Sequence, residues 1–360
     1  MHYLISFEKS TLFFFQKNLD DSIFSFNFSM LSAVLKNHCY MKKTALTLFL
    51  SLTVMTFGSI ACQNVLTETE TFGTNPGDLQ MFTYVPEDIS EHPPLVVVLH
   101  GCAQSAEDIA RQSGWNRLAD QHQFVVLYPQ QKATNNIQKC FNWFVEEDIQ
   151  KGKGESLSIK EMIDQMVKDL SVDTSRIFIT GMSAGGAMTN VMMATFPDYF
   201  QAGAIMSGVP YGGATNLSDA LALMAGGIEK SDEEWAQLVK DQNPSYEDSY
   251  PELIIFQGTD DPIVKEPNAD KIVQQWGALH GLADAPSEQK TLEGLPAIQR
   301  SSWEKADQEV IVRYDIEGLG HAIAIDPGEG AQKGGQEDIF AKDVDFYSTY
   351  WIAEFFGILK

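Results

Sequence analysis

Cysteine is scarce in this chain, at four in 360 residues, and positive charge is thin, with 25 lysines and arginines against 49 acids and a formal net charge of −24. Phosphate backbones and anionic membranes repel such a surface, so nucleic acid is excluded as a partner. No H-E-x-x-H and no paired C-x-x-C occurs, and no G-x-G-x-x-G follows a strand, so no metal site, dinucleotide or other cofactor is expected. From about Thr69 onward there is neither an internal repeat nor a Pro/Ser/Gly linker, and a single domain is the economical reading.

The first sixty residues follow a different grammar. Met41-Lys42-Lys43 opens a basic start, an apolar stretch runs from Thr44 to Ile60, and small residues precede Cys62, the pattern of a secretory signal peptide. The expected organisation is therefore an upstream extension over 1–40, a signal peptide over 41–61, a tether over 62–78 and a folded domain over 79–360. A membrane-active leader is the other reading of 1–40. Cleavage before Cys62 resembles the maturation of bacterial lipoproteins, although Ser59 stands where leucine is usual. Ordinary cleavage after Ala61 fits the small-x-small rule as well. The expected location is extracellular, or periplasmic and outer-membrane, with membrane contact only through a lipid on Cys62. Setting aside Cys39 in the leader and a lipidated Cys62 leaves Cys102 and Cys140, bridged in an oxidising compartment or else two buried thiols.

Hydrophobic patterning predicts strands at 79–85, 95–99, 124–128, 176–180, 202–206, 253–256 and 309–314. Helices are predicted at 106–122, 159–170, 184–195, 269–279 and 346–356, and pieces at 218–224 and 232–240 stand where a lid would be. Strands alternating with helices imply an α/β fold with a mainly parallel central sheet and helices on both faces, and an active site at the carboxyl ends of the strands.

One stretch organises the rest. Gly181-Met182-Ser183-Ala184-Gly185 fits G-x-S-x-G between a β-branched run and an Ala/Met-rich helix, the strand–turn–helix context that exposes a nucleophilic serine. A serine hydroxyl needs a histidine base and an orienting acid, in the chain order serine, acid, histidine. After the strand at 253–256 come Asp260 and Asp261; Asp261 is chosen on motif register, with Asp260 as a turn-forming or solvent-facing alternative. His321, flanked by glycines after the last predicted strand, is the base. Of the other histidines beyond the leader, His122 and His280 read as surface or capping residues, and His100 as a brace for the oxyanion loop. The two oxyanion donors would be the backbone N–H groups of Ala184 and Cys102.

These residues, together with His100-Gly101-Cys102-Ala103-Gln104, Ser113-Gly114-Trp115, Tyr128-Pro129-Gln130, Cys140-Phe141-Asn142-Trp143-Phe144 and Ser207-Gly208-Val209-Pro210-Tyr211-Gly212, resemble the secreted esterase family of poly(3-hydroxybutyrate) depolymerases and feruloyl and acetylxylan esterases. The resemblance runs from about Leu79 to Leu359. It implies an α/β-hydrolase fold, a serine carboxylic-ester hydrolase working through an acyl-enzyme, a Cys102–Cys140 bridge, and a substrate pocket near Trp143 and Tyr211. The chain departs from the family after Trp143, where Glu147-Asp148-Ile149-Gln150-Lys151 lacks the usual arginines, and after His321, where Ala322-Ile323-Ala324 replaces a common aromatic. Relatives acting on solid polymer carry a linker and a separate polymer-binding module, whereas here the sequence ends at Lys360 after the closing helix. Hydroxyalkanoate oligomers or plant polysaccharide esters are the expected substrates. A serine peptidase could use the same triad, but such relatives carry a large N-terminal module. A non-catalytic binding protein on this scaffold typically lacks one member of the triad, and none is missing here.

Overall fold

The computed structural model describes residues 65–360; the leader and Cys62 lie outside the described residues. Among the described residues no helix is long and apolar enough to cross a membrane. Ten strands form one sheet: β1 (Thr67–Thr69), β2 (Gln80–Tyr84), β3 (Leu95–Leu99), β4 (Val125–Gln130), β5 (Ile177–Met182), β6 (Ala202–Met206), β7 (Glu252–Gly258), β8 (Glu288–Leu292), β9 (Leu295–Lys305) and β10 (Gln308–Ile316). Their order is β1-β2-β4-β3-β5-β6-β7-β10-β9-β8, with the six strands from β4 to β10 mutually parallel and antiparallel pairs at both edges. The last pairs of three parallel ladders, Leu99 with Gly181, Met182 with Met206 and Gly258 with Ile316, bring the carboxyl ends of β3, β5, β7 and β10 to one rim.

The helices are α1 (Ala106–Ser113), α2 (Trp115–His122), α3 (Glu146–Ile149), α4 (Gly154–Leu170), α5 (Ala184–Thr195), α6 (Leu217–Met224), α7 (Asp232–Lys240), α8 (Pro267–His280) and α9 (Ser348–Phe355). Both faces of the sheet are covered, which is why β3 is fully buried and reads as an unbroken apolar run rather than an alternating one. Leu95, Val97 and Leu99 pack on one face with Ile159, Met192 and Trp276; Val96 and Val98 pack on the other with Trp115, Ile352 and Phe356. Every residue of α5 is buried, so the helix behind Ser183 is held on all sides.

Several elements differ from the sequence reading. The helix expected over 106–122 is two, broken where Gly114 adopts φ 74°; a Cβ there would also meet the Tyr347 hydroxyl at 2.5 Å. Helix α4 begins five residues before the expected start. The β8–β9 hairpin was not foreseen, because β8 is a charged, exposed edge strand with no apolar alternation to announce it. After β10 a two-stranded parallel pair follows, β11 (Ile323–Ile325) with β12 (Ala341–Asp343). Of the two pieces considered for a lid, α7 buries Trp235, Ala236 and Val239 in the core.

Candidate active site

Ser183 sits between β5 and α5 at φ 57°, ψ −120°, a conformation that costs a non-glycine residue of order 1–3 kcal/mol and persists only when its surroundings impose it. They do so here. Its N–H donates to the Met206 carbonyl at 2.9 Å and its carbonyl accepts the Ala187 N–H at 2.9 Å. Strand and helix come so close that a Cβ on Gly185 would lie 2.2 Å from the Leu99 carbonyl oxygen, and one on Gly181 would lie 2.4 Å from the Gly185 carbonyl carbon.

Two loops on the same rim meet this serine. The turn after β7 carries Asp261, and the loop after β10 carries His321. His321 Nδ1 is 2.7 Å from Asp261 Oδ2, and His321 Nε2 is 2.8 Å from Ser183 Oγ. A carboxylate can only accept, so Nδ1 carries the proton and Nε2 is left as the acceptor for the serine hydroxyl. Burial opposes ionisation of Asp261, but the His321 ring and the Ile263 and Val264 N–H groups outweigh it and hold the carboxyl below its ordinary range. Asp260 is exposed, so the structure joins Asp261, and not its neighbour, to the histidine. Such a chain of groups can draw a proton from the serine and stabilise the imidazolium that forms.

The two N–H groups expected to face an oxyanion belong to Ala184, the first residue of α5, and to Cys102, in the loop after β3. Neither meets an acceptor among the described residues, and both residues border the cavity that holds Ser183 and His321. The Cys102 loop is braced from several directions. Cys102 is bridged to Cys140, Ala103 N–H donates to the Gln138 carbonyl at 2.6 Å, and Gly101 N–H donates to Gln104 Oε1 at 2.6 Å. His100 is fully buried: its Nε2 accepts the Gln131 N–H at 3.1 Å, which leaves Nδ1 to donate to the Gly101 carbonyl at 2.7 Å. Burial drives its pKa down to about 4, against the opposing Gly101 hydrogen bond, so His100 is neutral at neutral pH.

The cavity has a volume of about 180 Å³, and apart from the groups already named its walls are mostly apolar, including Trp143, Val209, Met224, Ile263 and Phe340. Trp143, from the motif after Cys140, is among the residues that border it. Tyr211, also expected there, does not border this cavity, and its buried hydroxyl donates to the Ile149 carbonyl at 3.0 Å, tying the loop after β6 to α3. Phe340 and Met224 escaped sequence reasoning, since neither lies in a motif; Ile263 stands between Asp261 and Val264 and could have been found there. Elsewhere, oxygens of Asp326, Asp343 and Asp345 lie within 4.8 Å of one another, with Lys333 paired to Asp326 at 2.6 Å.

Residues 79–299 match the family model described as esterase PHB depolymerase. The chain belongs to that family. It is 41% identical to the poly(3-hydroxyalkanoate) depolymerase C of Paucimonas lemoignei, over 82% of this chain and 70% of the relative. It is 31% identical to the feruloyl esterase B of Talaromyces stipitatus, over 72% and 73%. The structure is similar to an acetyl xylan esterase from Aspergillus awamori with a TM-score of 0.67 and 26% identity, covering 72% of this chain and 94% of that one. This member of the PHB depolymerase family is thus a carboxylic ester hydrolase with the α/β-hydrolase fold, acting on an ester substrate.

Proposed function

We propose that Ser183 is the nucleophile, His321 the general base and then acid, Asp261 the carboxylate that holds the imidazole, and Cys102 and Ala184 the oxyanion donors. In the first half-reaction His321 Nε2 takes the Ser183 proton as Oγ bonds to the ester carbonyl carbon. The carbonyl oxygen gathers negative charge between the two N–H groups, and the imidazolium then protonates the departing alcohol. In the second, water gives a proton to His321 and its oxygen to the acyl carbon; Ser183 Oγ leaves with that proton and the acid is released. The observation that carries this reading is the unbroken chain Ser183 Oγ–His321 Nε2, His321 Nδ1–Asp261 Oδ2 at 2.8 and 2.7 Å.

The acyl group favoured is short and aliphatic, as in hydroxyalkanoate oligomers. The cavity is well below the size that holds a drug-sized ligand. Its side-chain amide, Gln104, is engaged at both ends, by Gly101 N–H at 2.6 Å and by Gln112 Oε1 at 2.5 Å, and has little to offer a substrate phenol. Feruloyl or acetyl esters of plant polysaccharide are the second reading, favoured by the names of the other relatives. The Cys102–Cys140 bridge supports export to an oxidising compartment, with a leader from Met41 and a mature chain from Cys62, lipidated or free. The N-terminal peptide mass of the native protein decides between these, and any peptide from before Met41 rejects the upstream extension.

Ser183→Ala is expected to abolish turnover of p-nitrophenyl butyrate with the fold unchanged by circular dichroism; retained turnover would mean another nucleophile. A fluorophosphonate probe that fails to label Ser183 would favour a non-catalytic binding protein, and cleavage of peptides in preference to esters would favour a peptidase. A panel of hydroxybutyrate oligomers, methyl ferulate and acetylated xylan ranks the substrates.

A further inference from the structure

Glu155, in the first turn of α4, is a completely buried carboxyl with no lysine or arginine partner among the described residues. Its oxygens meet two donors whose identities are fixed. Oε2 accepts the backbone N–H of Asn142 at 2.8 Å. Oε1 accepts Nε2 of Gln131, and the Gln131 amide cannot be turned round, because its Oε1 takes the Lys132 backbone N–H at 2.9 Å. Burial first, and Asp148 second, push the Glu155 carboxyl up to about 8, against the pull of the Asn142 and Gln131 donors.

Both bonds lead to the ester-cleaving site. Through Gln131 the route is short: Gln131 N–H donates to His100 Nε2, His100 Nδ1–H donates to the Gly101 carbonyl, and the peptide group carrying that carbonyl also carries the Cys102 N–H. Gln131 Nε2 additionally donates to the Cys140 carbonyl at 3.2 Å, beside the disulfide to Cys102. Through Asn142 the route is shorter still, since the next residue is Trp143, a wall of the cavity.

We infer that Glu155 is a positioning residue for ester hydrolysis: one buried carboxyl group, accepting at both oxygens, holds both the loop that presents the Cys102 N–H and the loop that presents Trp143. This rests on the assignment of Ser183 as the nucleophile, with the Cys102 N–H as an oxyanion donor. Removing the carboxyl group leaves fixed donors facing nothing or facing another donor, which loosens the oxyanion geometry where the negative charge develops.

The test is Glu155→Gln, which preserves shape but turns an amide NH₂ toward one of the fixed donors. Its control is Glu161→Gln, on the same helix. Glu161 accepts the Thr74 and Asn75 N–H groups at 2.9 and 2.7 Å, bonds of the same kind that lead away from the site. For p-nitrophenyl butyrate, Glu155→Gln is expected to lower kcat tenfold or more with KM within threefold. Inhibition by an alkyl trifluoromethyl ketone, which forms a tetrahedral adduct, should weaken by the same factor as kcat/KM. Glu161→Gln should lower the unfolding midpoint and leave kcat within twofold. If Glu155→Gln keeps kcat and the ketone affinity within twofold of the parent, the inference is wrong. Should that variant fail to fold, Gln131→Met cuts the same route, and an unchanged kcat there overturns the idea equally. Ser183→Ala separates the two levels: residual activity in it removes the underlying assignment, whereas an inactive Ser183→Ala beside an unaffected Glu155→Gln removes only the role of Glu155.

Discussion

His100 Nδ1 lies 2.7 Å from the carbonyl oxygen of Gly101, and the peptide plane it grips is the one that ends in the Cys102 N–H. In a trans peptide the carbonyl and N–H point in opposite directions, so fixing one aims the other. A carbonyl that accepts a hydrogen bond also makes its N–H a better donor. His100→Gln is therefore expected to lower kcat on the order of tenfold to a hundredfold, with less change in KM. Steady-state kinetics on a soluble ester checks this, and an unaltered kcat would show that the brace is dispensable.

The same histidine makes stability depend on pH. Its folded pKa of about 4 is below the ordinary 6.5, so between those values the unfolded chain binds a proton that the folded one refuses. Stability is full above pH 6.5 and is lost as pH falls toward 4, by about 3 kcal/mol if the whole shift is expressed. Glu155 has the opposite slope over part of this window, so the comparison to make is parent against His100→Gln in urea at several pH values. The parent should lose ground to the variant on acidification. A gap that stays constant with pH would mean that His100 is not held neutral by the fold.

Asp261 and Asp260 are adjacent but inequivalent, one buried against His321 and the other in solvent. Asp261→Asn should reduce kcat by roughly 10⁴, because the amide can no longer hold the required tautomer. Asp260→Asn should leave kcat within about twofold, an order-of-magnitude expectation for a surface change away from the chemistry. Parallel kinetics on the two variants decides the register; reversed effects would overturn the assignment.

The Cys102–Cys140 bridge spans a sequence separation of 38. Its removal by Cys102→Ser with Cys140→Ser is expected to destabilise the fold by about 4 kcal/mol in the chain-entropy model. Activity at a temperature where the variant remains folded should also fall, since one end of the bridge is the proposed oxyanion residue. Denaturant midpoints and kcat measured together test this, and a fully active folded variant would limit the bridge to stability.

Two glycines test how tightly the elbow is packed. Gly185→Ala drives a Cβ into the Leu99 carbonyl oxygen and should cost about 3 kcal/mol, with activity lost. Gly277→Ala, inside α8 with nothing within 4 Å of the added carbon, should instead stabilise by up to about 1 kcal/mol. Equal effects on the unfolding midpoint would contradict the close approach at Gly185.

What the sequence makes legible follows from how local the physics is. Ser183 is visible because a strand, a glycine-bounded turn and a helix are each encoded within a few residues, and Asp261 and His321 each follow an apolar run. Tyr211 misleads because its motif does lie after β6, near the rim, while the direction of its side chain depends on the Ile149 carbonyl, far away in sequence. Phe340 gives no signal at all, since it precedes a three-residue strand with no period. The β8–β9 hairpin is hidden for a related reason: an exposed edge strand needs charge, and charge reads as loop. Glu155 resembles any acidic residue opening a helix until its two donors are traced.

The parallel run of the central strands has a practical corollary. All the proposed chemistry leaves the sheet by one rim, while the opposite rim holds turns such as Asp173–Ser175 just ahead of β5, where Thr174 and Ser175 are exposed. An enzyme tethered to a bead or fibre through Thr174 would turn its cleft outward, so immobilisation there should leave the working edge open to bulky ester substrates.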